Sequence, residues 1–175
     1  MPERAHGAVP DTERLTLRHL ESSDAGFMLA LLNDPSFLHN IGDRGVRTVD
    51  EARAYITTGP VSKYRHGGFG MYRIGVRAND QPAGICTLLQ RETLEHPDLG
   101  FALLPEFRSR GFAYESSAAM IAYARDVLSL VRLVAIAAPG NEASARLLRK
   151  LGFAAEHTVR LSEDGEVMAL FARAL

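Results

Sequence analysis

Asp98-Leu-Gly-Phe-Ala-Leu-Leu-Pro-Glu-Phe-Arg-Ser-Arg-Gly-Phe-Ala113 is the stretch on which the reading of this chain turns. Residues 98–104 form a strand-like apolar run entered by Pro97. A helical pattern follows from about Ala113 to Leu128, with Met120, Ile121, Ala124, Val127 and Leu128 on one stripe. Between them, Arg108-Ser-Arg-Gly-Phe-Ala113 makes a strand-to-helix turn. The first turn of a helix leaves backbone N–H groups unpaired, and the helix dipole adds partial positive charge there. Gly111 has no Cβ to hold a phosphate away from the backbone, and Arg108 and Arg110 add charge. A pyrophosphate suits such a turn, although two solvated arginines on a surface turn would look the same.

Upstream, Arg14-Leu-Thr-Leu-Arg18 alternates as a half-buried strand does. Ser22 is placed to cap a helix carrying Phe27, Met28, Leu31 and Leu32, which Asp34-Pro35 ends. Residues 37–47 read as a polar loop. Thr48-Val-Asp-Glu51 matches a capping box and opens a second helix, which Gly59-Pro60 stops. Met71 to Arg77 and Ala83 to Gln90 read as strands joined by a turn at Asn79-Asp-Gln-Pro82. Downstream come a short buried strand from Arg132 to Ala137 and a helix from Asn141 to Leu151. Asn141 caps that helix, Leu147, Leu148 and Leu151 form its apolar face, and Gly152 sits just past its end. Two strands, around 153–161 and 166–174, turn at Glu163-Asp-Gly165. A meander followed by one strand–helix–strand crossover implies an α/β (α+β) fold with a mixed, mostly antiparallel sheet and helices on both faces.

The chain has 175 residues, which suits one domain over 1–175, with 1–10 read as a loose tail. Net charge is −1, so no overall field draws it to nucleic acid or anionic lipid. No apolar run approaches the ~18 residues of a membrane span, and none at the start has signal-peptide character. The expectation is a soluble, cytoplasmic protein. Cys86 is the single cysteine and lies in an apolar run, where an inert buried thiol is expected. A Rossmann-type module is disfavoured, because no Gly-x-Gly-x-x-Gly follows the first strand.

The turn resembles the Gln/Arg-x-x-Gly-x-Gly/Ala signature of the GCN5-related N-acetyltransferase (GNAT) family, preceded by Gly100-Phe-Ala-Leu103 and Pro105-Glu106. Asn141-Glu-Ala-Ser-Ala-Arg-Leu-Leu-Arg-Lys-Leu-Gly-Phe153 is similar to the family's second signature. Leu15-Thr-Leu-Arg18 and Asn33-Asp-Pro35 resemble its ribosomal-protein-acetylating branch. The resemblance spans about residues 12–174. It implies a sheet of about six or seven strands, splayed between the fourth and fifth, with about four flanking helices. It also implies acetyl-CoA as cosubstrate, no metal, an amine acceptor, and a monomer or homodimer. Backbone groups of Leu103, Leu104 and the turn Arg108, Ser109, Arg110, Gly111, Phe112 and Ala113 would hold pantetheine and pyrophosphate. Asn141 would bond the pantetheine arm, its role as helix cap fitting equally well. Arg146, Arg149 or Lys150 would meet the 3′-phosphate or remain solvated charges.

Direct attack of an amine on the thioester needs no nucleophilic residue, so the candidates are a base and a thiolate donor. Asp98 occupies the position of the family's strand acid, and Glu115, in the first turn after Gly111, is a second candidate base that the dipole alone would also favour. The family's usual donor is a Tyr on the last helix, a position held here by Leu148. Ser144 is the replacement candidate, a hydroxyl that could instead serve the helix cap. The resemblance leaves three outcomes: acetylation of a protein or peptide N-terminus, acetylation of a polyamine or aminoglycoside, and a non-catalytic CoA-binding sensor.

Overall fold

The computed structural model describes residues 9–64 and 69–175. Seven strands form one sheet in the order β1-β2-β3-β4-β5-β7-β6. They are β1 (Leu15–His19), β2 (Gly70–Val76), β3 (Gln81–Leu89), β4 (Asp98–Leu103), β5 (Arg132–Ala137), β6 (Ala154–Arg160) and β7 (Val167–Ala174). Every neighbouring pair is antiparallel except β4 and β5, which run parallel. The α-helices among the described residues are α1 (Ala25–Leu32), α2 (Pro35–Asn40), α3 (Val49–Thr58), α4 (Pro60–Lys63), α5 (Phe112–Asp126) and α6 (Glu142–Lys150), with 3₁₀ turns at Ser22–Asp24 and Pro105–Phe107. The mixed sheet with helices on both faces, read from the order of elements, is what folds.

Strand alternation divides the core by face. Cys86, Leu88, Leu99, Leu103, Leu133, Ala135, Ala137 and Phe171 share one cluster with Met120, Ile121 and Ala124 of α5 and Leu148 of α6. On the other face, Ile85 and Ala102 pack under α1 to α3. Further along that face, Val134, Leu170 and Ala172 pack with Leu94. Val127, expected on the buried stripe of α5, lies past the helix end and is exposed.

Local signals are mostly as read, with corrections near the start. Thr48 and Glu51 form the reciprocal capping box. Glu21 rather than Ser22 caps the first helical segment, a 3₁₀ turn over Ser22–Asp24 that leads into α1. Asp34-Pro35 ends α1 and also begins α2, whose residues 37–40 fall in the stretch expected to be a loop. Asp34 accepts from the backbone of Ser36 and Phe37, and Pro35 takes the first helical position, where its missing N–H costs nothing. Of the expected tail, residues 1–8 fall outside the described residues, and Val9 is already buried in the core.

Candidate active site

β4 and β5 meet at one register pair, Asp98 opposite Val134, where Val134 N–H donates to Pro97 C=O at 3.0 Å. Both strands continue beyond that pair, to Leu103 and Ala137, without further ladder partners to each other. This is the expected splay. It is closed at Asp98 and open, about 16 Å further on, at Leu103. The loop that follows β4 carries the turn of residues 108–113, and the loop that follows β5 leads to Asn141. Parallel neighbours therefore deliver both motifs to one edge of the sheet, outside the strands' carboxyl ends.

Hydrogen-bond alternation decides which backbone groups face the gap. Leu104 N–H is bonded to Ala83 C=O at 2.9 Å, so it is not free for a ligand, which corrects that expectation. Antiparallel pairing then turns the amide groups of Phe101 and Leu103 away from β3 and toward β5. Leu103 N–H thus faces the gap, and Phe101 N–H, which only the register reveals, faces it too. An extended ligand bearing amides can add to this edge as a strand would.

The turn has the backbone an anion site requires. Ser109 has φ 60° and Gly111 φ 81°, both left-handed, on either side of Arg110, and Gly111 is the N-cap of α5. The amides of Phe112, Ala113 and Tyr114 open that helix and lack intrahelical acceptors by geometry. The arginines behave differently from expectation. Arg108 turns inward, donating from Nε to Leu103 C=O at 3.1 Å and from its terminal nitrogen to Asp34. Its charge is spent within the fold. Arg110 stacks its guanidinium 5.6 Å from the Phe107 ring centroid, and its carbonyl accepts from Arg14.

Asp98 is 2 % exposed. Its Oδ2 lies 3.1 Å from Arg91 Nε, while Oδ1 is buried with no hydrogen-bond partner among the described residues. Burial pushes its pKa up, and the Arg91 guanidinium opposes that shift without cancelling it. Glu115 is the contrary case. Both its oxygens are occupied, by the Thr12 hydroxyl at 2.5 Å and by Arg14 through its backbone N–H, Nε and Nη2. Some burial pushes its pKa up, but these hydrogen bonds outweigh it and hold the carboxyl below its usual range. A carboxylate so engaged is a tie between the N-terminal segment and α5, and the geometry gives it no reach into the gap as a base.

At the other motif, Asn141 Oδ1 accepts from Ser144 N–H at 3.2 Å, so Asn141 is the N-cap of α6. That uses its oxygen and leaves the amide nitrogen for a ligand. The Ser144 hydroxyl makes no hydrogen bond among the described residues and is half-buried. Leu148, one turn further, is 1 % exposed in the core. Beside the turn, a groove of about 710 Å³ runs between α5, the end of α6 and the end of β7, lined by Tyr114, Arg125, Lys150, Gly152 and Arg173 among others. Lys150 Nζ sits 4.7 Å from the Tyr114 ring centroid, whereas Arg149 is directed at Phe171. The lone Cys86 is buried and its thiol is pushed up to about 12 by burial, the inert state expected of it.

Known proteins agree with this architecture. Residues 14–154 match the acetyltransferase (GNAT) domain family model. The chain is 28 % identical over 154 residues to YoaA, an uncharacterized N-acetyltransferase of Bacillus subtilis (strain 168), covering 87 % of this chain and 86 % of the relative. It is 30 % identical over 152 residues to p20 of Bacillus licheniformis, also an uncharacterized N-acetyltransferase, covering 85 % and 84 %. Among solved structures, RimL, the ribosomal L7/L12 alpha-N-protein acetyltransferase in complex with coenzyme A, superposes with a TM-score of 0.83 at 20 % identity, over 97 % of this chain and 98 % of that one. An acetyltransferase from Salmonella typhimurium that modifies the N-terminal serine of L7/L12 gives 0.79 at 20 % identity, over 97 % and 99 %. The splayed parallel pair, the left-handed turn opening α5 and a family match over most of the chain lead to one assignment: this protein belongs to the GNAT family of acetyl-CoA-dependent N-acetyltransferases.

Proposed function

We propose that the chain acetylates a primary amine at a peptide or protein N-terminus, with Asp98 as the base. The observation that carries this reading is the orphaned Asp98 Oδ1 at the closed end of the β4–β5 gap. In this reading pantetheine adds to the Phe101–Leu103 edge and the turn from Arg108 to Ala113 takes the pyrophosphate on its amides. Asn141 Nδ2 bonds the pantetheine arm, and Lys150, beside Tyr114, takes the 3′-phosphate. The amine loses one proton to Asp98 and its nitrogen attacks the thioester carbonyl. The C–S bond then breaks as the Ser144 hydroxyl donates to the leaving thiolate and takes the second proton from the attacking nitrogen, which restores the hydroxyl. The net change is one N–C and one S–H bond formed, one C–S and two N–H bonds broken, and one proton released through Asp98.

A single buried carboxylate suits a weakly basic amine. An α-amine of pKa ~7.8 is substantially neutral near pH 7.5, whereas a lysine amine of pKa ~10.4 must give up its proton at about 4 kcal/mol. The fold likeness to two enzymes named for alpha-N acetylation points the same way. The test is CoA release with peptides having free or blocked N-termini, half of them with an internal lysine, alongside spermidine and kanamycin. Free N-termini should be fastest. Equal rates on N-blocked lysine peptides, or turnover confined to the small amines, would reject the acceptor.

A further inference from the structure

Thr87, on β3, is not part of either sequence signature, and its surroundings are unusual. It is 7 % exposed, and its hydroxyl makes no hydrogen bond among the described residues. In the β3–β4 ladder Thr87 is paired with Gly100 and Leu89 with Asp98. Thr87, Gly100 and Asp98 therefore belong to one face of the sheet, the face away from α5.

Gly100 makes the hydroxyl's orientation explicit. A Cβ on Gly100 would lie 2.6 Å from Thr87 Oγ1 but 3.9 Å from Thr87 Cβ. The oxygen thus leans across the bare glycine toward β4 and the gap beyond. Only glycine permits that approach. Thr87 and Asp98 are diagonal neighbours across the two strands, with Cβ atoms about 7 Å apart. Two hydrogen bonds of ~2.8 Å through a single water span such a separation once the side chains lean inward. A water at that point would have Asp98 Oδ1 and Thr87 Oγ1 as fixed partners and the acceptor nitrogen as its third, a set within the usual two to four.

We propose that Thr87 is a positioning residue for the acetyl transfer, holding with Asp98 the water through which the acceptor amine loses its proton. This rests on the reading of Asp98 as the base. The water takes the ammonium proton as it passes its own to Asp98 Oδ1, so no proton is gained or lost on the way. Thr87 donates its hydroxyl hydrogen to the water oxygen and keeps one water hydrogen aimed at the carboxylate. Neither the cofactor turn nor the pantetheine edge involves Thr87, so acetyl-CoA binding is independent of it.

Thr87→Val keeps the volume and the β-branch and removes the hydroxyl, and Thr87→Ser keeps the hydroxyl alone. The two are compared with Asp98→Asn and with the Asp98→Asn/Thr87→Val double variant. The probes are acetyl-CoA and the fastest acceptor of the panel above, with acceptor-free CoA release as baseline. Expected results are a ~10-fold or larger fall in kcat for Thr87→Val, recovery to within about threefold for Thr87→Ser, and unchanged acetyl-CoA Kd in both. In the Asp98→Asn background, Thr87→Val should add no further loss, because both groups serve one water. Wild-type turnover in Thr87→Val, failure of Thr87→Ser to recover, or additive losses would overturn the role of Thr87 while a crippled Asp98→Asn left the base intact. Wild-type turnover in Asp98→Asn would remove the base, and the Thr87 role with it.

Discussion

Arg108 and Asp34, 74 residues apart, form an ion pair that fastens the proposed pyrophosphate turn to the start of α2. The Asp34 side chain is 5 % exposed and also caps α2 through two backbone amides, whereas the Arg108 side chain is 38 % exposed and also holds the last carbonyl of β4. The burial is unequal, and so are the consequences of losing each partner.

Arg108→Ala should cost about 1–2 kcal/mol of stability, since its site is partly open to water and Asp34 keeps its backbone donors. Asp34→Ala should cost about 1 kcal/mol more, because the cap of α2 goes with the ion pair. Urea denaturation measures both. Because the guanidinium is spent inside the fold, Arg108→Ala should change acetyl-CoA Kd by less than about threefold. A loss of affinity of 30-fold or more would mean that this side chain serves the ligand after all.

Gly111 separates backbone strain from ligand access. Its φ of 81° strains any other residue, and its added Cβ would also come 3.2 Å from Arg14 Nη2. Gly140 has nearly the same φ, 79°, but open space around it. Gly140→Val should therefore lose about 1–2 kcal/mol and keep its full thermal shift with acetyl-CoA. Gly111→Val should lose at least as much stability and also the shift. Equal shifts in the two variants would remove the turn from the cofactor site.

Ser144 and Asn141 predict opposite pairs of effects. Ser144→Ala removes a hydroxyl with no partner among the described residues, so Tm should stay within about 2 °C while kcat falls roughly 10²-fold. Asn141→Ala removes the cap and should cost ~1 kcal/mol. It should also raise acetyl-CoA Kd. Normal turnover in Ser144→Ala would leave the thiolate to protonate from solvent.

What could be read in advance was what depends on near neighbours in the chain. The turn from Arg108 to Ala113 and the Asn141 cap are local patterns, and the structure holds both backbones as their spacing implies. The inward turn of Arg108 and the engagement of Glu115 depend on partners 74 and 101 residues away, which no spacing discloses. Helix α2 was hidden because Pro is both a helix stop and a favoured first residue, and Asp34-Pro35 is used in both senses. Thr87 looked like one more residue of an apolar strand. Its significance needs the register that sets it opposite Gly100, a pairing that only the folded sheet supplies.

Asp98 links activity and stability with opposite signs. Its folded pKa is raised by burial, with Arg91 pulling the other way, while the unfolded value is that of an ordinary carboxylate. The folded state therefore holds a proton more tightly than the unfolded state. As pH rises from the unfolded to the folded pKa, the unfolded chain ionises first and stability falls; below that window the penalty is absent, and above it the penalty is full. Activity moves the other way, because only the carboxylate accepts a proton, so the acid limb of kcat/KM should lie above the usual aspartate range. Asp98→Asn should lower kcat/KM by about 10²–10⁴-fold at pH 7.5. It should leave stability there unchanged or higher, since a buried charge with one unpartnered oxygen is replaced by a neutral amide and Arg91, its side chain 34 % exposed, can turn to water. Paired measurements of kcat/KM and urea midpoint from pH 5 to 9 check this. A variant that loses both activity and stability would make Asp98 a structural ion-pair partner of Arg91 instead of the base.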